Sequence, residues 1–260
     1  MPARPAAGVC PAMSVGRPAR LALAFLLCSA GLVAAGDRPS GVVELFTSQG
    51  CNSCPPADDN LAALAKRGDV VTLAYHVNYW DYRGWRDTLA TPENTARQHD
   101  YRKAFQSRSV YTPQAVVNGR VHVNGAKRAA VESALSSLSS NGEGMQVDVH
   151  MERKGDSVVI TAGEGSRAAN AHVKLVYYGE PQAVDIGDGE NGGRTVYYVN
   201  PVTETQPAGM WHGKPATFEL PASDIARKGP GGCAVLLQSV TADGSPGPIL
   251  GAANLPAGPK

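Results

Sequence analysis

The chain has no stripe of basic or acidic residues. Lys and Arg number 24 against 23 Asp and Glu, leaving a net charge of +1 over 260 residues. That balance gives no electrostatic footprint for nucleic acid or for an anionic membrane surface, so neither is expected as a partner. Internal repeats are absent. Aromatic residues make up only 6% of the chain, yet five of them cluster as Tyr75, Tyr79, Trp80, Tyr82 and Trp85. Cysteine is scarce, with five in all. No second CxxC and no HxxxH accompanies the Cys51-Asn52-Ser53-Cys54 motif, so a zinc-type ligand set is not written into the spacing.

A single long apolar run occurs, at residues 21–27, with Arg17 and Arg20 before it and small residues after it, ending Val33-Ala34-Ala35. It is short for a membrane span and has the basic, apolar, small order of a secretory signal. Residues 1–35 are therefore expected to be a signal peptide cleaved after Ala35. The mature chain would begin near Gly36 and be periplasmic or secreted, with no stable membrane insertion. Initiation at Met13 would give a signal peptide of more usual length. Cys28 follows Leu27, where a lipoprotein would need a small residue. Cleavage removes Cys10 and Cys28 and leaves Cys51, Cys54 and Cys233. An odd number argues against a structural disulfide framework and suits one working pair plus an isolated thiol.

Past the signal segment the hydrophobic pattern divides. Residues 42–46 and 70–77 read as buried strands, and residues 54–66 as a helix with Ala57, Leu61, Leu64 and Ala65 on one face. Thr91-Pro92 opens a second helix running to about residue 107. Strands at 114–117 and 120–123 flank Asn118-Gly119, a strong hairpin signal. A third helix covers 126–138. A polar, Gly-containing linker at 139–144 marks a boundary between a first domain at 36–140 and a second at 145–255. In the second, strands are expected at 145–151, 157–162, 172–178, 195–202, 216–220 and 233–240, with no helix, which is the pattern of an all-β sandwich-like domain.

Two thiols at CxxC spacing at the start of a helix can close a small disulfide ring, and the helix N-terminus stabilises a thiolate. One cysteine attacks and the other resolves the mixed disulfide. Cys51 is expected to be the more exposed nucleophile and Cys54 the buried resolving thiol. A mere staple would constrain little, because the closed loop is so short. Glu44 lies in the apolar strand before the motif and is a candidate proton relay, or else simply the partner of a Lys or Arg. His76 ends a strand and Trp80 follows it in the aromatic cluster. Both are candidates for a substrate-binding wall, with core filling as the alternative for the tryptophans.

The order strand, CxxC, helix, strand, helix, hairpin, helix resembles the thioredoxin fold, so the first domain is expected to be α/β and thioredoxin-like. Residues 45–54 resemble the active-site strand and loop of glutaredoxins. Val110-Tyr111-Thr112-Pro113-Gln114 and the hairpin after it resemble the cis-proline loop of thioredoxin-like oxidoreductases. That resemblance implies a cis Pro113 facing the dithiol and Thr112 presenting backbone groups to a bound peptide or thiol. The chain as a whole resembles the DUF1223 family of exported bacterial proteins. The resemblance rests on Ser48-Gln49-Gly50-Cys51, Cys54-Pro55-Pro56-Ala57-Asp58, His76-Val77-Asn78-Tyr79-Trp80-Asp81, Gly84-Trp85, Arg97-Gln98 with Tyr101, Gly189-Glu190-Asn191-Gly192-Gly193 and Pro248-Ile249-Leu250-Gly251-Ala252. Unlike typical thioredoxins, the chain has no tryptophan before Cys51, has a longer insertion before Pro113, and carries the appended β domain.

The expected activity is thiol–disulfide exchange on a protein or small molecule carrying a thiol or disulfide, with no cofactor and no assigned metal. Two other readings stay open. One is a copper or zinc binding or delivery module using Cys51, Cys54 and His76. The other is a non-catalytic binding protein on the same scaffold. The acidic, Gly-rich stretch 185–191 lacks the ligand spacing of a calcium loop and reads as a hairpin-rich loop. Cys233, in an apolar run, reads as a small buried core residue.

Overall fold

β1 (Gly41–Thr47) is buried along its whole length, because it sits in the middle of a sheet covered on both faces. The structure is a computed structural model that describes residues 1–3, 8, 38–166 and 170–257. The expected signal run, Cys10, Cys28 and the cleavage site after Ala35 lie outside the described residues. The elements that follow β1 are α1 (Pro55–Arg67), β2 (Val70–His76), a single 3-10 turn at Asp81–Arg83, α2 (Pro92–Ala104), β3 (Gln114–Val117), β4 (Val121–Asn124) and α3 (Arg128–Ser140). They build a sheet of order β2-β1-β3-β4. β1 pairs in parallel with β2 and antiparallel with β3, and β3 and β4 form a hairpin. The hairpin turns on Asn118 and Gly119, whose φ values of 51° and 63° are those a tight two-residue turn requires.

Alternation along β1 and β2 separates two cores. Val43, Leu45, Val70 and Ala74 face Ala57, Leu61 and Leu64 of α1 and Val131, Leu135 and Leu138 of α3. Val42, Phe46, Val71, Leu73, Tyr75 and Val77 face the other way, with Tyr101 of α2. Thr91 caps α2, its hydroxyl accepting from the Asn94 N–H at 3.1 Å, and Pro92 follows at the first turn, as the Thr-Pro pair predicts.

The second half contains β5 (Val149–Lys154), β6 (Ser157–Ala162), β7 (Ala171–Tyr178), β8 (Gln182–Ile186), β9 (Arg194–Tyr198), β10 (Val202–Trp211), β11 (Ala216–Pro221), α4 (Ala222–Lys228), β12 (Gly232–Val240) and β13 (Pro246–Pro256). A four-stranded sheet, β10-β7-β12-β13, packs across a shared core on a three-stranded one, β11-β6-β5, while β8 and β9 form a separate hairpin. The four-stranded sheet is buried on both faces. Val173, Leu175, Val235 and Leu237 point into the core between the two β-sheets. Val176, Tyr178, Ala234, Leu236 and Ile249 join the core under Phe46, Leu73 and Tyr75. This stacking explains the unbroken burial of β12 from Gly232 to Gln238. The described residues from Arg38 onward form one compact unit.

The chain is thus mixed α/β and rich in β, with several sheets and four α-helices among the described residues. The expectation that the second half holds no helix is corrected by α4, which buries Ala222 and Ile225 against the β core. Its two-residue apolar face is too short to show periodicity. The strand expected at 195–202 is two strands, β9 and β10, parted where Asn200 takes a φ of 46°. β10 tolerates Pro207 because it is an edge strand with an irregularity there.

Candidate active site around Cys51 and Cys54

After β1 the chain turns through Ser48-Gln49-Gly50 into the cysteine loop. The Cys51 N–H donates to the Ser48 carbonyl and the Cys54 N–H to the Cys51 carbonyl, each at 3.1 Å. Cys54 is the N-cap of α1, with Pro55 and Pro56 in the first turn. Both cysteines therefore precede the helix, at the end where its unpaired N–H groups converge. They are joined as a disulfide. Exposure does not separate them as the sequence led us to expect, since Cys51 is 1% and Cys54 0% exposed. Asn52 and Ser53 between them are exposed. The Ser53 hydroxyl donates to Cys51 Sγ at 3.4 Å, because a disulfide sulfur has no proton to give.

Two distant segments hold this loop. The first is the long connection between β2 and α2. Asp87 accepts from the Gln49 N–H at 2.8 Å, and the Gln49 side-chain oxygen accepts from Trp85 Nε1 at 2.8 Å and the Thr88 N–H at 3.2 Å. Gly50 lies against Trp80, whose Cβ and carbonyl would stand 3.1 and 3.2 Å from an added Cβ. Trp80 Nε1 in turn donates to Thr112 Oγ1 at 2.8 Å. The half-buried Trp80 thereby links the cysteine loop to the Thr112–Pro113 turn. The Thr112–Pro113 peptide is cis, and Gln98 of α2 steadies the turn by donating to the Tyr111 carbonyl at 2.8 Å and to Gln114 Oε1 at 2.9 Å.

The second segment is the loop between β8 and β9. Asn191 Nδ2 donates to both the Gln49 and the Cys51 carbonyls at 2.9 Å. Arg83 pairs with Glu190 at 3.1 Å. Trp85 packs with Ile186, Val196 and Tyr198 of the hairpin. The stretch 185–191, which reads in the sequence as a hairpin-rich loop without calcium-ligand spacing, does join the β8–β9 hairpin and also delivers a side chain to the cysteine loop. Its one signal in the sequence was its place among the DUF1223-like segments.

Adjoining the cysteine loop is a buried polar group that no sequence motif brings together. His76 is not at a surface wall but fully buried at 0% exposure, its Nδ1 2.8 Å from Asp87 Oδ2 and its ring edge-on to Tyr198 at 4.7 Å. Asp87 also accepts from the Gln49 and Leu89 N–H groups. These donors place the negative charge on Asp87 and the proton on His76 Nδ1. Burial works to raise the Asp87 pKa, but the His76 charge and these hydrogen bonds hold it below the usual carboxylate range. Burial works to lower the His76 pKa, but Asp87, and behind it Asp58, carry it above the usual value. Asp58, on α1 and 3% exposed, has no hydrogen-bond partner on either carboxylate oxygen, and His76 Nε2 and Thr47 Oγ1 are likewise unpartnered. Burial pushes the Asp58 pKa up to about 7, against the lowering effect of His76 and of the neighbouring Thr47 hydroxyl. Asp58 was legible as an acid beside the apolar face of α1 and as the end of a DUF1223-like segment, and Asp87 only as one charge in a long loop.

Glu44 is not brought to this group. It points to the opposite face of β1, where Arg97 donates to it at 2.7 Å and Tyr101 gives it a short hydrogen bond. Cys233 sits in the core between the β-sheets, where burial pushes its thiol up to about 12. Among the described residues, no three His, Cys, Asp or Glu side chains are grouped to hold a metal ion, and no helix is long and apolar enough to cross a membrane.

The family described as "Protein of unknown function (DUF1223)" matches residues 42–238. The X-ray crystal structure of a protein from Agrobacterium tumefaciens is similar at 46% sequence identity and a TM-score of 0.77, covering 84% of this chain and 95% of that one. No curated protein matches the chain.

Proposed function

The chain belongs to the DUF1223 family, and from that premise we propose that it is an exported thiol–disulfide oxidoreductase whose first half is a thioredoxin-like domain. One observation carries the reading: the only disulfide among the described residues joins cysteines three positions apart at the N-terminal end of α1. A bridge that short removes little entropy from the unfolded chain, so stapling is a poor reason for it. The same position suits chemistry, since helix N–H groups and the macrodipole favour a thiolate there. The sheet order β2-β1-β3-β4, with α1 and α3 on one face and α2 on the other, supports the thioredoxin-like assignment. So does the tie from Gly50 through Trp80 to Thr112.

In this reading a substrate thiolate attacks Cys51, or Cys51 thiolate attacks a substrate disulfide, and Cys54 leaves or resolves. Thr112, Pro113 and Trp80 flank the approach, and His76 serves from below. Export follows from the basic, apolar, small pattern that precedes Gly36. In the cell envelope the oxidised pair would persist.

The test is exchange by the purified mature protein. Wild type should equilibrate with a glutathione buffer and reduce or oxidise a model dithiol peptide. Cys51→Ser should abolish exchange, whereas Cys54→Ser should accumulate a mixed disulfide. A wild-type protein that exchanges with no thiol would overturn the reading and leave a binding role for the scaffold.

A further inference from the structure

Four buried polar atoms, none in a formed hydrogen bond, adjoin one another in the interior: both carboxylate oxygens of Asp58, His76 Nε2 and Thr47 Oγ1. Buried polar groups are nearly always paired, and an unpaired carboxylate is among the most costly groups to bury. A cluster of such atoms in one spot calls for an explanation. Its location supplies one. Asp58 lies four positions after Cys54, its N–H donating to the Cys54 carbonyl at 3.2 Å, so the two side chains share a face of α1. Helical side chains lean toward the N-terminus, which aims the Asp58 carboxylate back at the turn that holds Cys54. Thr47 ends β1 just before the cysteine loop, and His76 pairs with it in the sheet register.

We propose that Asp58 exchanges a proton with the Cys54 sulfur during disulfide exchange, and that the His76–Asp87 pair sets the charge state of Asp58. The proposal rests on the oxidoreductase reading and assigns that site its acid and base. When a substrate thiolate attacks Cys51 Sγ, a new sulfur–sulfur bond forms to the substrate and the Cys51–Cys54 bond breaks. Its electron pair leaves on Cys54. Cys54 is fully buried, so a bare thiolate there carries a heavy desolvation cost. Transfer of the Asp58 proton leaves a neutral Cys54 thiol and places the charge on the carboxylate, opposite His76. In the reverse step Asp58 carboxylate takes the Cys54 proton as Cys54 attacks Cys51, and the substrate departs with the electron pair as a thiolate. No outside oxidant or reductant is needed beyond the substrate thiol or disulfide.

The groups facing Asp58 fit this use. His76 comes from β2, Asp87 from the loop that follows it, Thr47 from β1 and Tyr198 from β9, with Asp59 beside it on α1. His76 lowers the Asp58 pKa, whereas burial and the two aspartates raise it, leaving it at about 7. A group balanced near neutrality can both give and take a proton.

The experiment is reduction of the oxidised mature protein by a small monothiol, followed from pH 5 to 9 with each rate divided by the thiolate concentration. Wild type should give a normalised rate that falls above about pH 7, as the acid loses its proton. Asp58→Asn should lower the acid-side rate by roughly 100-fold and remove the break, and Asp58→Glu should restore a break. An Asp58→Asn profile that matches wild type overturns the relay while leaving the oxidoreductase reading standing. A wild-type protein inert to all thiols overturns both. Carboxyl NMR of the wild type keeps the test independent of variant folding: the Asp58 signal should titrate near neutrality in the oxidised protein and shift on reduction. An Asp58 carboxyl that is ionised throughout and indifferent to reduction overturns the proposal.

Discussion

Asn191 and Cys51 lie 140 residues apart, and the Asn191 amide donates to the Cys51 carbonyl at 2.9 Å while also donating to Gln49. The hairpin of β8 and β9 thus closes one side of the cysteine loop. Removing the amide leaves the Gln49 carbonyl without a donor in a place closed to water, and the Cys51 carbonyl with only the Cys54 N–H. An unmet buried acceptor costs roughly 1–3 kcal/mol. Asn191→Ala should therefore lower the melting temperature, and it should speed reduction of the Cys51–Cys54 disulfide by freeing the loop. Calorimetry with a dithiothreitol reduction time course checks both. An unchanged melting temperature with an unchanged reduction rate would show that the contact holds nothing in place.

Much of the first half was legible from local signals. The Thr91-Pro92 cap, the Asn118-Gly119 turn and the alternation of buried runs fixed α2, the β3–β4 hairpin and the sheet strands to within a few residues. Those signals are short-range chemistry of the backbone. The cysteine pair was legible for the same reason. Asp58, Asp87 and Asn191 were not, because each acquires its meaning from a partner brought close by folding. Asp58 matters through His76, Asp87 through His76 and Gln49, and Asn191 through Gln49 and Cys51. Glu44 shows the converse. Its strand position allowed either a relay or a plain ion pair, and the period of two in β1 turns it away from α1 and onto Arg97, the ion-pair reading. β13 was missed because its Gly and Pro content hides a strand that the neighbouring β12 specifies by pairing.

Glu44 and Arg97 form a buried ion pair, with Glu44 at 0% and Arg97 at 10% side-chain exposure. Arg97 also lies over the Tyr75 and Tyr101 rings and donates to Gln238 Oε1 on β12 at 3.2 Å. The pair therefore joins the two halves of the core. Arg97→Ala should cost about 3–5 kcal/mol, since it strands a buried carboxylate. The double variant Glu44→Leu, Arg97→Met should cost less than that single change, because it buries no unpaired charge. Urea unfolding of the three proteins tests this; a double variant worse than Arg97→Ala would mean that the pair is held by more than its own charges.

Cys233 should be silent in the folded protein. It is buried in the core between the β-sheets, and burial pushes its thiol up to about 12, so almost no thiolate forms at neutral pH. Iodoacetamide added to the oxidised native protein should label no cysteine of the mature chain. After reduction, label should enter Cys51 and Cys54, with Cys233 modified only once denaturant is added. Peptide mapping reads out the sites. Rapid labelling of Cys233 in the native state would show that this core opens far more readily than its packing implies.

The buried acid should also leave its mark on stability. The Asp58 pKa is raised from the ordinary 3.8 to about 7, so between those values the folded protein binds more protons than the unfolded chain. Stability must then fall as pH rises across that window. The ceiling on the effect is roughly 4 kcal/mol, at about 1.4 kcal/mol for each pH unit. His76 acts in the same direction: its pKa is raised, so the stability it contributes is full below about 6.5 and is lost as pH climbs through its folded value. Asp87 acts oppositely, because its pKa is lowered; its contribution is present above about 3.8 and is lost as pH falls through the depressed value. Stability should accordingly peak in mild acid. Asp58→Asn removes the first of these terms while keeping the shape of the side chain. Its melting temperature should exceed that of wild type at pH 8, and the gain should vanish near pH 4. Melting curves at pH 4, 6 and 8 decide the matter: an Asp58→Asn protein whose melting temperature tracks wild type in parallel would mean that Asp58 has no raised pKa. A variant that is more stable at pH 8 yet slower in exchange would mark Asp58 as a group held against the interests of the fold, as sites that do chemistry commonly are.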